Sequence, residues 1–126
     1  MRRTGILGTG FAAVLVCAAA APAFAASGAF AHDDTTGKYG YSWNEKNDKA
    51  AEEAAVKGCA SEKCKVVFKT KSGECGAIAT TENGKIWGGA ARPKKEAAEK
   101  AALDGCQKRT NTSTGQCKMR GSECNK

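Results

Sequence analysis

Six cysteines, placed three and three in two related halves behind an apolar leader, limit what this chain can fold into. The leader opens with Arg2 and Arg3 and runs uncharged from Ile6 to Ala21. It ends in Ala23-Phe24-Ala25, with small residues at the two positions a signal peptidase reads. This pattern predicts a secretory signal peptide over residues 1–25, cleaved after Ala25. Its glycines and weakly apolar alanines make a poor spanning helix. The residues flanking Arg2-Arg3 fit twin-arginine export poorly. Val16, ahead of Cys17, is not the small residue that a lipid-anchored cysteine requires. The expected product is a single secreted domain over residues 26–126, extracellular or held in the cell envelope, with no membrane-spanning segment.

Cys59, Cys64, Cys75, Cys106, Cys117 and Cys124 all survive cleavage. An even count in a small exported chain predicts a disulfide framework. Zinc needs ligand spacings that are missing, since there is no C-x-x-C and His32 is the sole histidine. No metal or cofactor is expected. The framework offsets a thin core. Beyond the leader the chain has only 13 residues of the types Val, Ile, Leu, Met, Phe, Trp and Tyr. Their burial supplies little transfer free energy against the entropy of ordering the chain, and cross-links narrow that gap by restricting the unfolded state.

The two halves repeat one pattern. Gly28-Ala29-Phe30-Ala31 matches Gly76-Ala77-Ile78-Ala79, and Tyr39-Gly40 matches Trp87-Gly88 at the same offset of 48. Ala50–Cys59 reads AAEEAAVKGC, and Ala97–Cys106 reads AAEKAALDGC. Each half orders its signals alike. A G-A-x-A stretch leads to a turn at Thr36-Gly37 or Asn83-Gly84, and an aromatic strand follows. Next comes an alanine-rich helix, capped by Asn47 or Asp48 in the first half and opened by Pro93 in the second. Gly58 and Gly105 fit the helix ends. A last strand covers Cys64–Thr70, or Cys117–Arg120. The fold class expected is α+β: two pseudo-symmetric β-β-α-β half-repeats, 28–75 and 76–124, forming an antiparallel sheet with two alanine-rich helices packed on it.

Six cysteines allow 15 pairings. Preserving the repeat selects Cys59–Cys64 and Cys106–Cys117 as local bonds, each joining a helix end to the next strand. Cys75–Cys124 remains, as a bond crossing between halves. On a loop-entropy basis these contribute about 2, 3 and 4 kcal/mol.

The G-A-I-A strand, the T-G-K-Y-G-Y-S hairpin, the A-A-E-x-A-A helix ending in Gly-Cys and the C-K-V-V strand followed by Cys-Gly-Ala-Ile-Ala resemble a bacterial family known as domain of unknown function 4189. The resemblance spans Gly28 to Cys124. It implies a small exported domain with no established biochemical role, and it carries over no catalytic residue. The second half departs from the family pattern. Its aromatic-glycine alternation shrinks to Trp87-Gly88-Gly89, and a polar loop over Gln107–Gln116 widens the cysteine spacing.

Three groups of residues are candidates for function. Tyr39, Tyr41 and Trp43 alternate, so a strand sets them on one face. They read first as core and alternatively as an aromatic platform for sugars or peptides. Lys65, Lys69 and Lys71 alternate too, and Lys118 and Arg120 repeat the pattern. A pseudo-twofold would gather all five as a site for an acidic surface or polymer, against the plainer reading of a solvated face that protects a sheet edge. Loss of Arg2 and Arg3 with the leader leaves 18 basic and 13 acidic residues, a net charge of +5. His32, beside Asp33 and Asp34, reads as a surface turn residue, with acid–base catalysis the minor alternative. The glycines follow no phosphate-binding pattern, and no motif for specific nucleic-acid binding is present. The function expected is a non-enzymatic binding or interaction module, with an acidic envelope polymer or a protein as partner. The alternatives are a secreted effector or inhibitor acting on a host or competitor protein and, third, a small hydrolase using His32.

Overall fold

A computed structural model describes residues 26–110 and 116–126. The predicted signal peptide with Cys17, and the centre of the polar loop at 111–115, lie outside the described residues. The order is β1 (Ser27–His32), β2 (Tyr39–Glu45), α1 (Asp48–Cys59), β3 (Lys65–Thr70), β4 (Cys75–Thr80), β5 (Trp87–Arg92), α2 (Lys95–Arg109) and β6 (Lys118–Cys124). The fold is α+β, two β-β-α-β units in tandem. Each unit closes its own three-stranded antiparallel sheet, β2-β1-β3 and β5-β4-β6. The single sheet expected from sequence is thus two sheets. They stack face to face, and each carries its helix on the outer side.

The helices explain the alanines. Ala51, Ala55 and Cys59 of α1 cluster with Ala29 and Ala31 of β1, and Ala98, Ala102 and Cys106 of α2 cluster with Ala77 and Ala79 of β4. The buried residues of the cluster between each helix and its central strand are all alanine or cysteine. Gly40 and Gly88 extend the close approach. A Cβ at Gly40 would overlap the backbone of Ala55 and Cys59, and one at Gly88 the backbone of Ala102 and Cys106. Asn47 caps α1, its Oδ1 accepting from the Ala50 amide at 2.8 Å. In α2 the N-cap is Lys94, which makes no side-chain cap bond, so Pro93 precedes the cap instead of opening the first turn. The helix also runs past Gly105 to Arg109, where the repeat had suggested an end near Cys106.

The inner faces meet as knobs and holes. Phe30 is flanked in its sheet by Tyr41 and Phe68, and Ile78 at the equivalent point by Gly89 and Gly121. A Cβ on Gly89 would strike the ring of Phe68, one on Gly121 the ring of Tyr41, and one on Gly76 the ring of Phe30. Three rings from one sheet therefore lie on glycines of the other. Phe30 and Ile78 are fully buried between them, each contributing roughly 1.5–3 kcal/mol. At one end of this interface the turns of the two hairpins touch backbone to backbone at Gly37 and Gly84, both with φ near +78°. At the other end Asn125 is buried. Its Nδ2 donates to Thr70 Oγ1 and the Lys71 carbonyl, and its Oδ1 accepts from the Asn44 amide.

The disulfides are Cys59–Cys64, Cys75–Cys124 and Cys106–Cys117. The pairs match those chosen by symmetry, but Cys75–Cys124 does not cross between halves. Cys75 opens β4 and lies opposite Cys124 of β6 in the same sheet, so the second unit begins at Cys75, one residue before the boundary read from the repeat. Four cysteines belong to the second unit and two to the first, and no disulfide joins the units.

The close approaches set the cost of adding one methyl group. Gly40→Ala is expected to lose about 3 kcal/mol or more in urea denaturation, because the obstacle is helix backbone. Gly89→Ala should lose about 1 kcal/mol, since the Phe68 ring can shift. Gly58→Ala meets only the Gly40 Cα, at 3.8 Å, and should be neutral or stabilising by up to about 1 kcal/mol. Equal losses at Gly40 and Gly58 would contradict the helix-to-sheet contact described.

Candidate functional site

A line of neighbouring rings, three pairs stacked and two tilted, crosses the interface. It runs from Trp43 to Tyr41 at 5.9 Å between centroids, to Phe30 at 5.5 Å, to Phe68 at 4.3 Å, to Trp87 at 6.3 Å and to His32 at 5.8 Å. Tyr41 lies inside, against Gly121, so Tyr39, Tyr41 and Trp43 do not form an open platform. Trp43 alone is open, 43% exposed, while Tyr39 is half-buried opposite His32. At the other end of the line Trp87 is half-buried, with the Arg109 guanidinium 4.8 Å from its ring centroid.

His32 is not a surface turn residue. It ends β1 and is 2% exposed. Its Nε2 lies 2.6 Å from the Gly84 carbonyl of the second unit, and its Nδ1 lies 3.0 Å from Asp34 Oδ1. Both ring nitrogens are therefore engaged. Asp33 is buried as well and holds the β1–β2 loop. Its carboxylate accepts from the Thr35 amide and hydroxyl at 2.8 and 2.6 Å and from the Thr36 hydroxyl at 2.8 Å. It also accepts from the Ser61 hydroxyl, which ties this loop to the turn between α1 and β3. Donation from Ser61, then Thr35, holds the Asp33 carboxyl far below the ordinary aspartate range, against the opposing pull of burial.

The five cations read as one group are dispersed. A bulge in β3 leaves Val67 without a partner on β1, so Lys65 pairs with His32 while Lys69 pairs with Ala29. One extra residue reverses the alternation. Lys65 falls on the side of the sheet interface. Lys69 falls on the helix side, where its Nζ lies 3.4 Å from Glu52 and 3.8 Å from Asp48. Lys71 lies beyond the end of β3. In β6 the matching bulge falls at Arg120, whose Nε donates to Thr80 Oγ1 at 2.8 Å and whose guanidinium reaches the Thr81 carbonyl at 3.2 Å. Lys118, opposite Thr80, remains exposed in the second unit.

What the structure brings together instead is a cleft of about 430 Å³ at the seam between the units. Trp87 lines it from the second unit. Asp34, Thr35, Glu62, Lys63, Lys65 and Val67 line it from the first, together with the engaged His32 and Asp33. Of the candidates named from sequence only Lys65 and His32 belong here. Trp87, Lys63 and Glu62 were missed. Trp87 carried a usable signal, because it stands where the first half has Tyr39. Lys63 and Glu62 sit in an irregular turn with no periodicity to mark them. Among the described residues no group of three or more His, Cys, Asp or Glu side chains is placed to hold a metal ion, and no helix is long and apolar enough to cross a membrane.

A family model described as domain of unknown function (DUF4189) matches residues 27–124. The chain belongs to this family. The match covers both β-β-α-β units and all three disulfides, so the whole described fold, cleft included, is the family domain. No curated protein and no solved structure matches the chain.

The Asp33 network makes an acid-stability test. A carboxyl whose folded pKa is depressed contributes stability that is complete above its unfolded value, near 3.8, and is lost as the pH falls toward the folded value. Asp33→Asn should therefore lower the melting temperature at neutral pH and flatten its decline below about pH 4. Parallel melting-temperature curves for the two proteins across that range would contradict the assignment.

Proposed function

We propose that the chain is an exported, non-enzymatic binding module of the cell envelope or extracellular space, and that its ligand enters the cleft beside Trp87. The observation that carries this reading is the composition of the cleft. A half-buried indole from one unit faces exposed charged side chains from the other across a volume typical of ligand sites. Hydrolysis through His32 has less support. Each imidazole nitrogen already has a partner, and the nearby Ser61 hydroxyl donates to Asp33, not to histidine. The signal-like leader and the disulfides support export.

A second reading, an effector or inhibitor that docks on another protein, draws on Trp43, the exposed large hydrophobic residue among those described. The two readings use opposite ends of the ring line and separate by mutation. Titrating the oxidised protein with soluble peptidoglycan fragments and teichoic acid should shift the Trp87 indole N–H resonance and leave the polymers at their original length. Trp87→Ala should weaken binding about tenfold, the loss of one stacking contact, while Trp43→Ala leaves it unchanged. Binding lost through Trp43 alone would favour the protein-docking reading, and shortened polymers would show an enzyme.

A further inference from the structure

Resting on the binding reading above, we propose that the cleft takes an anionic saccharide, with a sugar ring against Trp87 and its acidic group held by Lys63 and Lys65. The charges that remain available in the cleft point this way. Three acids and two lysines line it, which by simple count disfavours an anion. Two of the acids already have partners within the protein. Asp33 is saturated by hydroxyl and amide donors, and Asp34 faces the His32 imidazole. Glu62, Lys63 and Lys65 are exposed and have no ion pair among the described residues. Hydrogen bonding leaves the carboxylate charges in place, so what the cleft offers an anion is local: two exposed ammonium groups that no carboxylate among the described residues holds.

Trp87 narrows the class further. An indole attracts either a cation or the C–H face of a sugar. Here the Arg109 guanidinium already lies over the ring at 4.8 Å, so a cationic ligand would meet a like charge. A sugar ring meets no such charge penalty, and it would rest on the part of the indole that Arg109 and Phe68 leave exposed. Its hydroxyl groups also find acceptors in Glu62 and in the second carboxylate oxygen of Asp34. Lysines supply point charges and no fixed fork, so carboxylate and sulfate sugars are equally suited, and the acidic group adds steering as much as affinity.

The test compares three probes on the oxidised protein by calorimetry and Trp87 indole N–H resonance: trigalacturonate, neutral cellotriose and inorganic phosphate. Trigalacturonate should bind and shift the Trp87 signal, and its affinity should fall steeply with salt. Cellotriose should bind at least about tenfold more weakly, and phosphate should leave Trp87 unmoved. Lys63→Gln and Lys65→Gln, both at exposed positions, should each cost trigalacturonate about three- to fivefold and leave the weak cellotriose binding unchanged. Cellotriose binding as tightly as trigalacturonate, without salt dependence, would overturn the anionic assignment and leave the cleft as a neutral sugar site. Phosphate matching trigalacturonate would overturn the saccharide part. If no saccharide binds while peptidoglycan peptides still shift Trp87, this inference fails and the binding reading stands. If the polymers that bind leave Trp87 unmoved, the binding reading itself fails.

Discussion

The contact of Tyr41, Phe30 and Phe68 with Gly121, Ile78 and Gly89 is what the rest of the fold depends on. No disulfide joins the two units, and each helix adheres to its own sheet. What holds unit to unit is this face, helped by the Gly37–Gly84 turn contact and by Asn125. The interface also requires the units to differ. A first unit facing a copy of itself would set Tyr41 against Phe68 with no glycine beneath either ring. A second unit facing itself would leave a void where those rings belong. Complementarity of this kind specifies one partner against the alternatives. It accounts for two diverged halves in one chain.

The same contrast explains where the cross-links lie. The first unit brings three aromatic rings to its inner face. The second brings Ile78, Trp87 and a row of glycines, whose backbones carry a larger entropy cost on ordering. It is the second unit that carries the additional Cys75–Cys124 bond across β4 and β6. At the corresponding place the first unit has Ser27 and Lys71, and Ser27 Oγ donates to Asp48 at the start of α1. The unit with more glycine on its inner face is thus the one more restricted in its unfolded state.

Much of this was legible in the residues, because it rests on short periodic signals. The repeat marked the β-β-α-β order. The alanine spacing marked the helix faces, and symmetry selected the cysteine pairs. Three features escaped for physical reasons. A bulge adds one residue to a strand without leaving a mark in the sequence, so Lys65 and Lys69 read as neighbours on one face when they lie on opposite faces. Gly89 read as a loss from the aromatic pattern, when it is the hole that Phe68 fills. Long-range polar partners, His32 to the Gly84 carbonyl and Asn125 to Thr70, depend on how the units stack, which no local pattern encodes.

The bulges also decide why the first unit has a cleft beside its third strand, where the second unit has none at the equivalent place among the described residues. Both strands that follow the helices bulge at equivalent points, Val67 and Arg120, opposite Phe30–Ala31 and Ile78–Ala79 of the central strands, which end in His32 and Thr80. In the second unit Arg120 turns inward and bonds Thr80 and Thr81. The guanidinium joins a buried pair there, since the Thr80 hydroxyl also donates to the Thr81 carbonyl at 2.9 Å. In the first unit His32 occupies the Thr80 position and finds its partners elsewhere, in Gly84 and Asp34. Nothing then calls for a polar residue at the bulge, and Val67 is short enough to leave the space beside Trp87 unfilled. The cleft is the vacancy left when one copy of a repeated strand no longer supplies a hydrogen-bonding plug, and the lysines on either side of the turn into that strand are what the vacancy exposes to a ligand.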